Sequence, residues 1–362
     1  MDSLQARNFV VAFYTVSLTL GETLLLKKIR YDTLKGYVRL AIKCHTDRRL
    51  PSPRLADTDY ITVILDAVRK YQKVPDRREM IHDSMYEHLL ERYAEASRIH
   101  PDAQPAALME WLFLGRWVGP RKSEWCGESA TSWRTIDDPE WGDRPNALPF
   151  IFEDFRFLSA SGQEIFITKE HWSDPHLAPP KELAYVELRV RKQKNNDNYQ
   201  KLLYARLPTD SPLCPVRCAF RIFCRGKRLG IASTHPAAVF ATRAKLEPFH
   251  LITGVDVCKL LRKTARVVFA LKSDDPSLRL WSSHSLRVTA CNLLHRAKFS
   301  DSYIKNRLRW KSDSFLMYLR NTFYTADEHS KALDLGIHPT AHECRALENH
   351  EVFLSQAAAG AA

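Results

Sequence analysis

Between Pro149 and Leu207 the apolar pattern of this 362-residue chain changes period, and that change limits the folds open to it. Over PFIFEDFRFLSASGQEIFIT, and again over AYVELRVRKQKNNDNYQKLLYARL, apolar and polar residues alternate one by one. That is the period of a strand with one buried face. Each stretch carries turn chemistry at its middle, Ser159–Gly162 in the first and Asn195–Asn198 in the second, so each predicts an antiparallel hairpin. On both sides the pattern is helical. Upstream, DTLKGYVRLAIK starts on Asp32-Thr33, and DTDYITVILDAVRKYQKV places Ile61, Ile64, Leu65, Val68 and Tyr71 on one face before Pro75 stops it. A third helix is expected near SMYEHLLERYAEA, a linker over RIHPDAQP (98–105), and a helix over AALMEWLFLGRWVG. After Pro208 helices dominate: CPVRCAFRIFCR, GVDVCKLLRKTARVVFAL, WSSHSLRVTACNLLHRA, SDSYIKNRLR and SDSFLMYLRNT. The expected class is α+β and mostly helical, with a helical domain over 1–102, a mixed α/β domain with a small antiparallel sheet over 103–340, and a tail over 341–362.

The formal charge of +12 points to a polyanionic partner, nucleic acid before membrane. The excess is local. Residues 181–228 hold 12 Lys/Arg against 4 Asp/Glu, and residues 287–311 hold 7 against 1. Both stretches interleave charge with aromatic and aliphatic residues, as folded basic faces do. The opening MDSLQAR lacks a basic n-region, and the apolar run from Phe9 meets Glu22 after 13 uncharged positions, so neither a secretory leader nor a membrane span is expected. The eight cysteines are scattered, as reduced intracellular thiols are. Cys214, Cys218 and Cys224 cluster without a matching second pair, so no metal site is expected.

Within WSSHSLRVTACNLLHRA, His284 and Arg287 lie three residues apart, on one face of a helix that Ser282-Ser283 opens. Leu286, Ala290, Leu293 and Ala297 form its apolar stripe. Two cations at a helix N-terminus oppose the macrodipole and each other, and a bound phosphate relieves both penalties. An exposed basic turn is the plainer alternative. GPRKSEW puts Arg121 three residues from Glu124, a spacing at which the carboxylate holds a guanidinium or an imidazole in place or forms a surface ion pair. Lys192 and Lys194 end a strand at the Asn-rich turn, a hairpin tip suited to a groove or simply solvated. Trp310 and Tyr318 follow downstream, the tyrosine equally readable as core.

Taken in order, G-x-R-x-S-E, a hairpin lysine, H-x-x-R, a Trp and a Tyr 31 residues past Arg287 resemble the catalytic set of the tyrosine recombinases of phage-integrase type. RKQKNNDN, CPVRCAFRI, HSLRVTACNLLH and RLRWKSDSFLMYLRNT further resemble the recombinases of Crypton-type mobile elements. The resemblance spans roughly residues 5–335. Many relatives carry His where this chain has Trp310, which lies 8 residues before Tyr318, slightly closer than is common. The resemblance implies a core-binding, DNA-clamping domain over 1–102 and a catalytic domain over 103–340. It implies Tyr318 as nucleophile forming a 3′-phosphotyrosyl link, with Arg121, Arg287, His284 and Trp310 stabilising charge on the phosphate and Glu124 completing the set. Lys194 would protonate the departing 5′-oxygen, with Lys192 a near competitor. Arg191, Lys192, Arg307, Arg309 and Lys311 would contact DNA. The implied partner is double-stranded DNA, bound by a homotetramer in the synaptic complex, with no metal, no cofactor and no membrane, and with nuclear placement in a eukaryotic host. The implied outcome is integration of a mobile element by site-specific recombination. A type IB topoisomerase-like relaxing enzyme and a domesticated, catalytically silent DNA-binding protein are the alternatives.

Overall fold

A computed structural model of the protein describes residues 3–20, 31–55, 59–71, 77–133, 147–193, 198–242 and 249–319. The expected tail over 341–362 and Lys194 lie outside these residues. The chain divides into two compact units, parting between Asp76 and Arg77.

Among the described residues the first unit holds three helices, α1 (Ser3–Leu20), α2 (Tyr31–Asp47) and α3 (Tyr60–Tyr71). Their core gathers Val11, Leu18, Leu34, Val38, Ile61 and Leu65. Of the face expected on α3, Ile61 and Leu65 are buried and Ile64 and Val68 half-buried, whereas Tyr71 at the last turn is 83% exposed. Asn8 is buried beneath the loop that precedes α3, donating to the Pro53 carbonyl at 2.8 Å and to Asp59 Oδ1 at 2.6 Å.

The second unit begins with α4 (Asp83–Ile99) and α5 (Gln104–Val118), so it starts well before the boundary expected at 102. RIHPDAQP is not a linker. The Pro101 carbonyl accepts from Arg225 Nη2 at 2.9 Å, the Asp102 carbonyl from the Ala241 N–H at 2.7 Å, and the Asp102 carboxylate pairs with Arg228. A Pro-rich, polar stretch looks like a connector in sequence, but here its polar groups are spent on the fold.

α5 is buried from Ala106 through Gly115, as a helix surrounded by others must be. Around it run β1 (Phe155–Leu158), α6 (Lys169–Ser173), β2 (Tyr185–Val190), β3 (Gln200–Ala205), α7 (Pro215–Arg228), β4 (Val239–Ala241), β5 (Phe249–Leu251), α8 (Gly254–Val268), α9 (Ser285–Arg296) and α10 (Asp301–Arg307). The alternating region forms one antiparallel sheet in the order β1-β2-β3, with Phe157 opposite Val186 and Val186 opposite Tyr204. Val186, Leu188 and Val190 face the core while their neighbours are half-buried. The protein is thus mostly helical α+β with a small antiparallel sheet.

Two details depart from the sequence pattern. The turn at Ser159–Gly162 is present, with Gly162 at φ +80°, but its return arm pairs with β1 only through a bridge from Glu164 to Leu158. The neighbour of β1 is therefore β2. The two-stranded sheet β4-β5 was not expected among helices, because three-residue strands leave no alternation long enough to read.

Candidate active site

At the end of α5, Gly119 takes φ +55°, the left-handed cap that stops a helix. A Cβ there would lie 2.7 Å from Leu308 Cδ2, so the position has neither the backbone nor the space for another residue. The chain then turns into a single 3₁₀ turn, Lys122–Glu124, opened by Arg121. The Arg121 N–H donates to Glu124 Oε2 at 2.8 Å and its Nη1 to Oε1 at 2.8 Å. The R-x-x-E spacing is thus closed locally, side chain onto side chain.

Glu124 is fully buried, and a second cation reaches it from the far end of the unit: Arg309 Nη2 donates to Oε2 at 2.6 Å. Burial alone would raise the Glu124 pKa. The guanidinium groups of Arg309, Arg287 and Arg121, with the Arg121 N–H, outweigh it and hold the carboxyl at about 2. Three guanidinium groups against one carboxylate leave surplus positive charge in a largely buried site, which an anion neutralises.

α9 supplies the next pair. His284 is its N-cap residue, in helical backbone, and its N–H donates to Ser282 Oγ at 3.3 Å. The expected amphipathic stripe does not describe this helix. Residues 285–292 are buried without interruption, while Leu293 is half-buried and Ala297 exposed. α5 lies against one side of it, and Ala290 and Cys291 join a small core with Ile304, Leu308 and Phe315 on another. Arg287 is accordingly 1% exposed. Its Nη1 donates to the Gly119 carbonyl at 2.9 Å, its Nη2 donates to the Leu308 carbonyl, and its guanidinium stacks 4.4 Å from the Trp310 ring centre. Burial, then the charges of Arg287, Arg78 and Arg121, push the His284 pKa down to about 4. The clash expected between charged His284 and Arg287 therefore does not arise at neutral pH, because the imidazole is uncharged.

Tyr318 closes the group, at the end of the 3₁₀ turn Asp313–Tyr318. Its ring centre lies 5.1 Å from that of His284 and 4.9 Å from that of Trp310. The Tyr318 carbonyl accepts from Asn292 Nδ2 at 2.7 Å, which ties this turn to α9. Arg121, His284, Arg287, Trp310 and Tyr318 all line one cleft of about 780 Å³. The Trp310 indole N–H is buried with no hydrogen-bond partner among the described residues, an unspent donor on the cleft wall. The arrangement suits a tetrahedral or trigonal-bipyramidal oxyanion: forked guanidinium donors, an indole N–H, a neutral imidazole and a phenol converge on one space.

The other expected residues fall differently. Lys311 is exposed and lines the cleft, as a contact to a backbone phosphate requires. Arg309, expected at a DNA surface, is instead buried on Glu124, its side chain 0% exposed. Arg191 is turned inward: Nε donates to Asp154 Oδ2 at 2.9 Å and Nη2 to the Pro149 carbonyl at 2.6 Å. Arg307 stacks 4.1 Å from the Tyr204 ring centre and donates to the Leu203 carbonyl. Lys192 is half-buried outside the cleft lining, and Lys194 lies outside the described residues. Lys122 was not anticipated. It lines the cleft, and its stem fills the space a Cβ on Gly254 would take, with Cε 2.6 Å from that point. Its place between Arg121 and Glu124 was the available signal. No group of His, Cys, Asp and Glu among the described residues is placed to hold a metal ion, and no helix among them is long and apolar enough to cross a membrane.

No protein-family model matches the chain, and no curated protein matches it in sequence. Among solved structures it is similar to the Tn1549 transposon integrase in complex with circular intermediate DNA, at 12% identity and TM-score 0.39, over 94% of this chain and 84% of that one. It is similar to the same integrase with transposon right end DNA at 14% identity and TM-score 0.45, over 92% and 87%. It is also similar to a lambda integrase dimer bound to a COC′ core site, at 15% identity and TM-score 0.37, over 89% and 90%.

Proposed function

We propose that the cleft performs phosphoryl transfer on DNA with Tyr318 as nucleophile, as the resemblance of the sequence to tyrosine recombinases implies. The observation that carries this reading is the convergence of Tyr318 with His284, Trp310, Arg121 and Arg287 on one cleft, from turns and helices far apart in the chain. A tyrosine beside guanidinium groups that outnumber their carboxylate suits attack on a phosphodiester, whose transition state carries charge on its non-bridging oxygens.

In the proposed step the Tyr318 oxygen bonds to phosphorus as the P–O5′ bond breaks. The phenolic proton passes to solvent, and the departing 5′-oxygen takes a proton from a lysine, Lys194 or Lys192. The product is a 3′-phosphotyrosyl ester with a free 5′-hydroxyl. Arg121 and Arg287 hold the non-bridging oxygens, helped by the Trp310 N–H. Neutral His284 adds a hydrogen bond. The ester conserves the energy of the broken bond, so a second 5′-hydroxyl reverses the step and joins a new strand. Four copies in a synapse, a mobile-element context and nuclear placement follow from the resemblance alone.

A nicked suicide duplex, which loses its 5′-hydroxyl strand on cleavage, traps the ester. The wild-type chain should form a covalent adduct that survives denaturation and persists in EDTA. Tyr318→Phe should form none while binding the duplex within about threefold of wild type. An adduct mapping to another tyrosine, or cleavage that only a divalent metal restores, overturns the reading. Two differently labelled duplexes then separate recombination, which exchanges label, from a relaxing enzyme, which reseals its own strand.

A further inference from the structure

Arg309 was expected to touch DNA, and the fold withdraws it from solvent. We propose instead that Arg309 is a positioning residue that fixes the guanidinium of Arg121 for its work on the phosphate, an inference that rests on the phosphoryl-transfer reading above. Arg309 holds φ +60°, a backbone conformation that residues with a side chain rarely adopt and that glycine adopts freely. The arginine side chain at this turn is committed entirely to the interior. Its Nη2 donates to Glu124 Oε2 at 2.6 Å, and Nη1 reaches the Val118 carbonyl at 3.4 Å.

Arg121 is held from the same residue twice. Its Nη2 donates to the Arg309 carbonyl at 3.0 Å, and its Nη1 donates to Glu124 Oε1 at 2.8 Å, on the carboxylate whose other oxygen Arg309 holds. The Arg309 backbone therefore grips one terminal nitrogen directly, and its side chain grips the other through Glu124. A guanidinium has five N–H donors in a rigid fork, so two fixed nitrogens set the direction of the remaining N–H groups. Arg121 keeps 19% of its side chain exposed, at the cleft. The left-handed turn is what allows one residue to present both its carbonyl and its side chain to the Arg121–Glu124 pair while the next residue, Trp310, lines the cleft.

Positioning and mere support of the fold make different predictions. If Arg309 acts through Arg121, its loss matters only while Arg121 is present. Wild type, Arg309→Gly, Arg309→Lys, Arg121→Ala and the Arg121→Ala/Arg309→Gly double variant are compared on the suicide duplex. Single-turnover adduct formation, duplex Kd and melting temperature are measured, with rates taken below every melting transition. Arg309→Gly relieves the backbone and removes the guanidinium. It should slow adduct formation by on the order of 10²-fold, the scale of a small misplacement of a reacting group. Its duplex Kd should stay within about twofold. Arg309→Lys restores a charge for Glu124 and should recover about a tenth to a third of the wild-type rate. On Arg121→Ala, the added Arg309→Gly change should cost less than about twofold more.

A wild-type rate for Arg309→Gly overturns the inference, and so does an equal loss in both backgrounds or a rise in Kd that accounts for the whole rate loss. Should the glycine variant not fold, Arg309→Lys and its double with Arg121→Ala carry the same comparison. Absence of any adduct from the wild-type chain overturns the phosphoryl-transfer reading and this inference with it. The failures above, with a wild-type adduct present, overturn this inference alone.

Discussion

His284 and Arg287 share one face, yet the imidazole is uncharged in the folded protein at neutral pH. Its pKa is depressed to about 4 by burial and by Arg287, Arg78 and Arg121, against about 6.5 in an unfolded chain. Between those values the unfolded state binds a proton that the folded state does not. The stabilisation is therefore complete above pH 6.5 and is lost as pH falls toward 4. The loss is at most about 3 kcal/mol. Urea unfolding should show stability falling between pH 6.5 and 4.5, and His284→Gln should flatten that limb. A His284 ring that titrates above pH 6 by NMR in the free protein contradicts the assignment. Glu124 acts lower, its carboxyl held near 2, so its loss begins only below about pH 4.5. A phosphate in the cleft offsets the same cations, so duplex binding near pH 5.5 should take up a proton. The His284–Arg287 and Arg121–Glu124 pairs were legible in the sequence because three-residue spacings fix neighbours locally. Arg309 was not. Its role depends on a left-handed turn that carries the side chain inward, and counting lysines and arginines treats every one as surface.

α5 and α9 form the frame on which these groups hang. They approach so closely that a Cβ on Gly115 would meet Leu286 Cδ1 at 2.8 Å. At the end of α5, Gly119 does two things: its left-handed backbone releases the chain toward Arg121, and its carbonyl accepts from Arg287. Gly119→Ala should cost the conformational penalty of about 1–2 kcal/mol plus overpacking of about 1–3 kcal/mol against Leu308. Gly162→Ala is the control. Gly162 also has positive φ, but nothing lies within 4 Å of its Cβ position, so only the first penalty applies. Denaturant midpoints of the two variants separate the contributions, and equal losses would show that packing at Gly119 is slack. Adduct formation should fall only in Gly119→Ala, through the displaced anchor of Arg287. The longer helices α2 to α5, α7 and α8 and the β2-β3 hairpin were legible because their periods run over several residues. SDSFLMYLRNT, expected as a helix, forms a 3₁₀ turn over Asp313–Tyr318. The five-residue α6 was not legible. The all-round burial of α9 was not, since Ser285, Arg287, Thr289 and Asn292 are polar in sequence. They are buried because the interior supplies partners: Thr289 Oγ1 accepts from the Ile81 N–H at 2.8 Å and donates to the Ser285 carbonyl at 2.7 Å.

Over the whole molecule the 12 Lys/Arg of residues 181–228 and the 7 of residues 287–311 overstate what faces a polyanion. Within the basic stretch 181–228, Arg191 is spent on Asp154, Arg225 on Glu110 and Arg228 on Asp102. In the second stretch Arg309 is spent on Glu124 and Lys305 pairs with Asp313. These pairs form in the free protein, and a pair that stays closed releases no counterions when DNA binds. Lys122 and Lys311 are exposed and line the cleft, within reach of a bound phosphate. Each phosphate neutralised on B-DNA contributes about 0.9 to the slope of log K against log salt. Lys122→Gln and Lys311→Gln should therefore each lower that slope by about 0.9 for a short duplex. Arg191→Gln should leave the slope unchanged and act on stability, because it strips a partner from buried Asp154. Titrations from about 50 to 200 mM salt decide the matter. A slope that falls equally for all three variants would mean that the inward pairs open on DNA, so that the sequence count is the better guide to the contact surface. A slope that moves only for Lys122→Gln and Lys311→Gln would place the phosphates along the rim of the cleft, beside the tyrosine proposed to attack one of them.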